Sequence, residues 1–162
     1  MRAFPLVAAF LLTACQSAGV QTDFDPSVNF TDYRTYQWLP SDAPRGMNPL
    51  MFRRIKDSID RSLAARGYAQ APNGDFAITF TVDERDRLHA DDWGYGWGHP
   101  GIDVYTSIQR SIVIDVYDGR TRQPAWHGVV RRETYSDRVN YGRLDQAVDA
   151  VLAKFPPRPG VQ

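Results

Sequence analysis

Phe76-Ala77-Ile78-Thr79-Phe80-Thr81-Val82 decides the fold of this chain, because its large apolar residues fall on every second position. Successive side chains of a strand point to opposite faces, so Phe76, Ile78, Phe80 and Val82 share one face while Ala77, Thr79 and Thr81 share the other. That pattern predicts a half-buried strand over 75–87. Residues 107–117 repeat it, with Ile108, Ile112, Ile114 and Val116 inward and Asp118-Gly119 opening a turn. A third long strand is expected over 125–135.

Working outward, residues 20–25 read as a short strand stopped by Pro26, and Tyr33 to Trp38 has the aromatic and β-branched content of a second one. Asn48 is a helix cap with Pro49 at the first helical position. Phe52, Ile55, Ile59 and Leu63 then recur at helical spacing, with charged residues on the opposite arc, and Gly67 ends the run as a left-handed terminator. Tyr141, Leu144, Val148, Val151, Leu152 and Phe155 line one face of a second helix, which Asn140 is placed to cap and Pro156 must end. The order reads β-β-α-β-β-β-α. Long strands joined by loops imply an antiparallel meander, which needs one covered face. The expected fold is therefore α+β, a two-layer sandwich: an antiparallel sheet of about four or five strands covered on one face by two amphipathic helices.

Met1-Arg2 supplies a positive start, and Ala3 to Leu12 is apolar apart from Pro5, which is the order of an export signal. The run falls short of the roughly 20 apolar residues that cross a bilayer, and it gives way after Cys15 to Gln16-Ser17-Ala18-Gly19. Leu12-Thr13-Ala14-Cys15 resembles the lipobox of bacterial lipoproteins, in which the cysteine is diacylated and becomes the new N-terminus. The chain is expected to divide into a signal peptide over 1–14, a lipidated flexible leader over 15–19, a single domain over 20–156 and a flexible tail over 157–162. Cys15 is the one cysteine of the sequence, so no internal disulfide can form, and acylation removes an unpaired thiol from an oxidising compartment. Gln16 follows the cysteine where aspartate would retain such proteins at the inner membrane. The resemblance thus implies the outer membrane, with the domain on its periplasmic face.

Basic and acidic residues number 19 each, and loss of Arg2 with the signal leaves the remainder acidic by one unit. No polyanion-binding surface follows, so nucleic acid is not an expected partner. The expected partners are the membrane, through the lipid on Cys15, and an envelope protein. No cofactor is expected.

Asp23-Phe24-Asp25 with Phe30, the run Tyr33-Arg34-Thr35-Tyr36-Gln37-Trp38, the helix end Arg66-Gly67-Tyr68 and Gly74-Asp75-Phe76 form an ordered series. It continues through Asp115-Val116-Tyr117-Asp118, Trp126-His127-Gly128 and Phe155-Pro156-Pro157. In this order and spacing the chain resembles the bacterial lipoproteins catalogued as domain of unknown function 4136. The resemblance implies an envelope lipoprotein domain and carries over no catalytic residues.

Residues 88–106 depart from their surroundings, with His89, Trp93, Tyr95, Trp97, His99 and Tyr105 among glycines and aspartates. They read as an overlong hairpin loop, and loops of that length are commonly functional. Its rings are suited to stacking on glycans or resting at a lipid headgroup layer, and are equally suited to packing on the end of the sheet. Its imidazoles and carboxylates match no closed metal-site spacing, so no metal is expected. His127 reads as a sheet residue. With no G-x-S-x-G, P-loop or dinucleotide fingerprint, the expectation is a non-enzymatic module; the alternative is a ligand-binding lipoprotein that uses loop 88–106 for glycan, lipid or metal.

Overall fold

Phe76, Ile78 and Phe80 do share one face of a long strand and are buried there, with Ile78 opposite Val116 and Phe80 opposite Ile114 of the next strand. The computed structural model describes residues 19–39, 43, 47–92, 102–134 and 141–156. In chain order these form β1 (Gly19–Phe24), a 3-10 turn (Phe30–Asp32), β2 (Thr35–Trp38), α1 (Pro49–Ala65) and β3 (Ala69–Gln70). Then come β4 (Phe76–Asp92), β5 (Ile102–Asp118), β6 (Pro124–Thr134) and α2 (Tyr141–Leu152). Cys15, the expected signal and tail, Asn140, and Trp93, Tyr95, Trp97 and His99 lie outside the described residues.

The ends of α1 follow from its sequence. The Asn48 side chain accepts a hydrogen bond from the Leu50 N–H at 2.8 Å, with Pro49 at the first position. At the other end Gly67 takes φ 82°, which a β-carbon would strain, and the Tyr68 N–H returns to the Leu63 carbonyl at 3.1 Å. That return drives Tyr68 into the core beside Leu63. From α1, Phe52 stacks on Phe80 at 4.8 Å, and beyond α2, Phe155 meets Trp126 at 5.3 Å and Phe76 at 5.4 Å. Both helices therefore cover the Phe76–Phe80 face.

The sheet order is β1-β6-β5-β4-β2-β3, and β4, β5 and β6 form the expected antiparallel meander. Strand number and direction correct the sequence reading. Among the described residues the sheet has six strands and is mixed, because β2 runs parallel to both β4 and β3. Helix α1 lies between β2 and β4, and a strand–helix–strand connection returns the chain to the same end of the sheet, so the second strand pairs parallel to the first. The two residues of β3 are too few for any alternation to register.

The loop expected over 88–106 is also corrected. The pairing of β4 with β5 runs unbroken from Phe76↔Asp118 to Asp92↔Ile102, so residues 88–92 and 102–106 are strand. Beyond Val82 the apolar alternation gives way to charge. Arg110 Nε donates to Glu84 at 2.8 Å across the pair, and Leu88 is 77% exposed. Backbone pairing persists there after the pattern that reveals it has gone.

Several residues of the ordered series hold the sheet to its cover. Asp75 accepts from the Arg34 and Thr35 N–H groups, both at 2.8 Å, and from the Thr35 hydroxyl at 2.9 Å. Asp60 of α1 accepts from the Tyr36 hydroxyl at 2.7 Å and the Trp38 indole at 2.8 Å. Asp118 accepts from the Tyr33 hydroxyl at 3.1 Å and from the Arg120 and Thr121 N–H groups. At Gly128 a β-carbon would collide with the Trp126 ring, which crosses the strand there.

Two outcomes are expected. Gly128→Ala destabilises the domain by about 1–3 kcal/mol in urea unfolding, because the buried Trp126 ring must move to make room. Burial, followed by hydrogen bonding to Asp118 and Asp60 respectively, pushes the Tyr33 and Tyr36 hydroxyls up. Protonated tyrosine is therefore favoured by folding, and its contribution is complete below the unfolded value near 10 and is lost as pH rises beyond it. Thermal midpoints above about pH 10 should fall more steeply in the wild type than in a Tyr33→Phe/Tyr36→Phe variant.

Candidate functional site

Among the described residues β6 is paired with β5 as far as Ile108↔Thr134, and β4 and β5 continue together to Asp92↔Ile102. On the face away from the helices, strand alternation places Arg87 and His89 of β4, Tyr105, Ser107 and Gln109 of β5, and Glu133 of β6 on one surface. Of the six residues expected to form a binding loop, His89 and Tyr105 are described, and the structure brings them together. They are directly opposite in the register, and their rings stack at 5.0 Å with 10° between planes.

The Nε2 atom of His89 is 2.8 Å from the Ser107 hydroxyl and 2.7 Å from Glu133 Oε1, and the Ser107 hydroxyl donates to the same Glu133 oxygen. A carboxylate only accepts, so Nε2 carries the hydrogen. Ser107 is fully buried although it lies on the uncovered face. Hydrogen bonds from Ser107 first, then from His89, hold the Glu133 carboxyl below the usual carboxylate range.

Three side chains of this kind invite comparison with a serine hydrolase relay, and the connectivity differs from one. In such a relay the imidazole takes the hydroxyl proton at one nitrogen while the acid orients the other. Here serine and carboxylate share one nitrogen, and the hydroxyl proton points at the carboxylate. A carboxylate with a depressed pKa is a weak base. What the arrangement does is tie β4, β5 and β6 together through one residue from each. Arg87 adds a further cross-strand bond, donating from Nε to Gln109 at 3.2 Å.

Ser107 and Glu133 escaped sequence reasoning. Ser107 reads as the start of one expected strand and Glu133 falls near the end of another, and nothing local links residues so far apart. The signal was the alternation itself, carried outward through the expected loop. His127 is where the sequence reading puts it, a strand residue facing Asp115 across the β5–β6 pair, with Nδ1 at 2.7 Å from Asp115 Oδ1. Among the described residues no group of three or more His, Cys, Asp or Glu is placed to hold a metal ion. Among the same residues no helix is long and apolar enough to cross a membrane.

Comparison with known proteins adds the following. The family model described as "Domain of unknown function (DUF4136)" matches residues 20–157. No curated protein matches the chain. A PDZ domain protein from Parabacteroides distasonis is similar with a TM-score of 0.62 and 12% identity, covering 90% of this chain and 36% of that one. The chain therefore spans little more than a third of that protein's length. The PelC dodecamer from Paraburkholderia phytofirmans gives a TM-score of 0.52 and 13% identity, covering 86% of this chain and 97% of the other. At these identities the likeness is one of fold.

Removing the hydroxyl tests the assignment of the Glu133 pKa. In Ser107→Ala the Glu133 carboxyl should titrate at higher pH than in the wild type, read by carbon NMR of its side chain. A folded-state value below the unfolded one means that the contribution of Glu133 to stability is present above about pH 4.3 and fades as pH falls. The acid limb of the stability curve should flatten in the variant.

Proposed function

The chain belongs to the domain of unknown function 4136 family, and from that premise we propose that it is a lipid-anchored envelope protein facing the periplasm. Its activity is one of contact: a non-enzymatic module that helps assemble or maintain the outer membrane. One observation carries the reading. Leu12-Thr13-Ala14-Cys15 closes an apolar run four residues before β1 begins at Gly19. Two or more acyl chains at Cys15, at about 0.8 kcal/mol for each buried methylene, hold a protein at a bilayer without a spanning helix.

The open face of the sheet supports a contact role. The described polar cluster on the sheet satisfies itself, Ser107 and His89 against Glu133, and leaves no hydroxyl poised for attack. Strand β1 lies at one edge of the sheet, and unpaired backbone groups at an edge accept a strand from a partner. The partner class is therefore an envelope protein with an extended segment.

Fractionation and intact mass of the wild type beside Cys15→Ser test the anchor. The wild type should appear in the outer-membrane fraction of a density gradient with acyl mass on Cys15, and Cys15→Ser should be released to the soluble fraction. A soluble, unacylated wild type would overturn the reading.

A further inference from the structure

We propose that the outer edge of β1 pairs with the same edge of a second copy of this chain, antiparallel about a two-fold axis at Thr22; this deepens the contact reading above, and rests on it, by naming the partner of that edge. Backbone direction comes first. The Asp25 N–H donates to the Ala125 carbonyl at 2.9 Å, in register with the pairs from Gly19↔Arg131 to Phe24↔Trp126. Hydrogen-bonded and non-hydrogen-bonded pairs alternate along an antiparallel ladder. Gly19, Gln21, Asp23 and Asp25 therefore direct their backbone groups at β6, and Val20, Thr22 and Phe24 turn theirs outward. Among the described residues no strand lies beyond β1 to receive them. One of these groups is met locally, because the Phe24 N–H donates to the Asp23 carboxylate at 2.9 Å.

Complementarity comes second. With Thr22 on the axis, Val20 faces Phe24 of the second copy and Gln21 faces its Asp23, and symmetry repeats both contacts. Val20, Thr22 and Phe24 share the helix-covered face, in register with Val130, Gly128 and Trp126. Phe24 is 57% exposed although its ring meets Phe30 edge-on at 6.1 Å, and Val20, itself packed against the core, is the apolar surface that covers it. On the open face the two ends of β1 differ in charge. Asp23 and Asp25 stand at the Phe24 end, whereas Arg131, opposite Gly19, donates to Gln21 at the other. An antiparallel copy brings each acidic end to the Gln21–Arg131 pair of its partner, while a parallel copy would set acid against acid. The incoming Val20 carbonyl takes the Phe24 N–H, and Asp23 is released toward that arginine.

Concentration comes third. A six-residue edge is short for a stable dimer in free solution, and anchoring both copies to one bilayer raises their effective concentration.

The experiment uses the acylated full chain in vesicles of phosphatidylethanolamine and phosphatidylglycerol, oxidised with copper phenanthroline and read on non-reducing gels. Thr22→Cys meets its own copy at the axis, where the Cα atoms of a hydrogen-bonded pair lie about 5.5 Å apart, within disulfide reach. Its disulfide dimer should exceed several-fold that of Ala69→Cys, an exposed residue of β3 at the opposite edge. Adding Asp23→Arg to Thr22→Cys should lower the dimer several-fold, and adding Arg131→Asp as well should restore it. Equal cross-linking at 22 and 69, or a loss that the charge exchange does not restore, overturns the pairing. In cells, a Thr22→Cys disulfide to a different envelope protein in place of the homodimer overturns the second copy and leaves the edge as a contact surface. A wild type without acyl mass on Cys15 overturns the anchor, and the same cross-linking comparison with that thiol blocked still decides the edge.

Discussion

The domain depends on the parallel pairing of β2 with β4. It is only three residue pairs long, Tyr36↔Phe76 to Trp38↔Ile78, and parallel pairing is slightly weaker per residue than antiparallel. Side chains reinforce it from both sides. The Asp75 carboxylate, just before β4, gathers the two N–H groups and the hydroxyl of Arg34 and Thr35, while Asp60 reaches down from α1 to Tyr36 and Trp38. Burial alone would push the Asp75 carboxyl up, yet these donors together hold it below the usual range. With β2 placed in this way, Tyr33, Tyr36, Tyr68 and Phe155 all come within ring contact of Phe76. The aromatic heart of the core thus rests on two half-buried carboxylates.

Most of that architecture was legible in the chain. Asn48, Pro49 and Gly67 mark the bounds of α1 because each solves a backbone problem where it stands, and the run from Phe76 to Val82 reveals β4 because one of its faces is covered. Parallel pairing was not legible, since it depends on where a crossover helix returns the chain rather than on any residue in β2. The long hairpin was hidden for a different reason. Once β4 passes the helices both of its faces meet water, and Arg85, Asp86 and Arg87 hold a strand with no apolar period to betray it.

The same limit separates the visible half of the candidate site from the hidden half. His89 and Tyr105 stand out as an imidazole and a ring in an unusual composition, whereas Ser107 and Glu133 become neighbours only through two registers, β4 with β5 and β5 with β6. Composition identifies residues with chemical potential, and pairing decides which of them share it. In this fold the pairing uses them for cohesion, and the regularity of the sheet explains why the ordered family series is rich in aspartates, tyrosines and glycines of structural use.

The unequal lengths of the central strands have a mechanical consequence. Up to the Ile108↔Thr134 pair, β5 is flanked on both sides, and beyond it, among the described residues, β5 is paired with β4 alone. Two-stranded ribbons twist more strongly than wide sheets and are marginal in water by themselves. The His89–Ser107–Glu133 contact lies at this junction and is the outermost described grip of the third strand on the ribbon. It therefore acts as a clasp across the three strands, and amide protection along the described parts of β4 and β5 should be highest on its Phe76 side, where α1 and α2 cover the sheet.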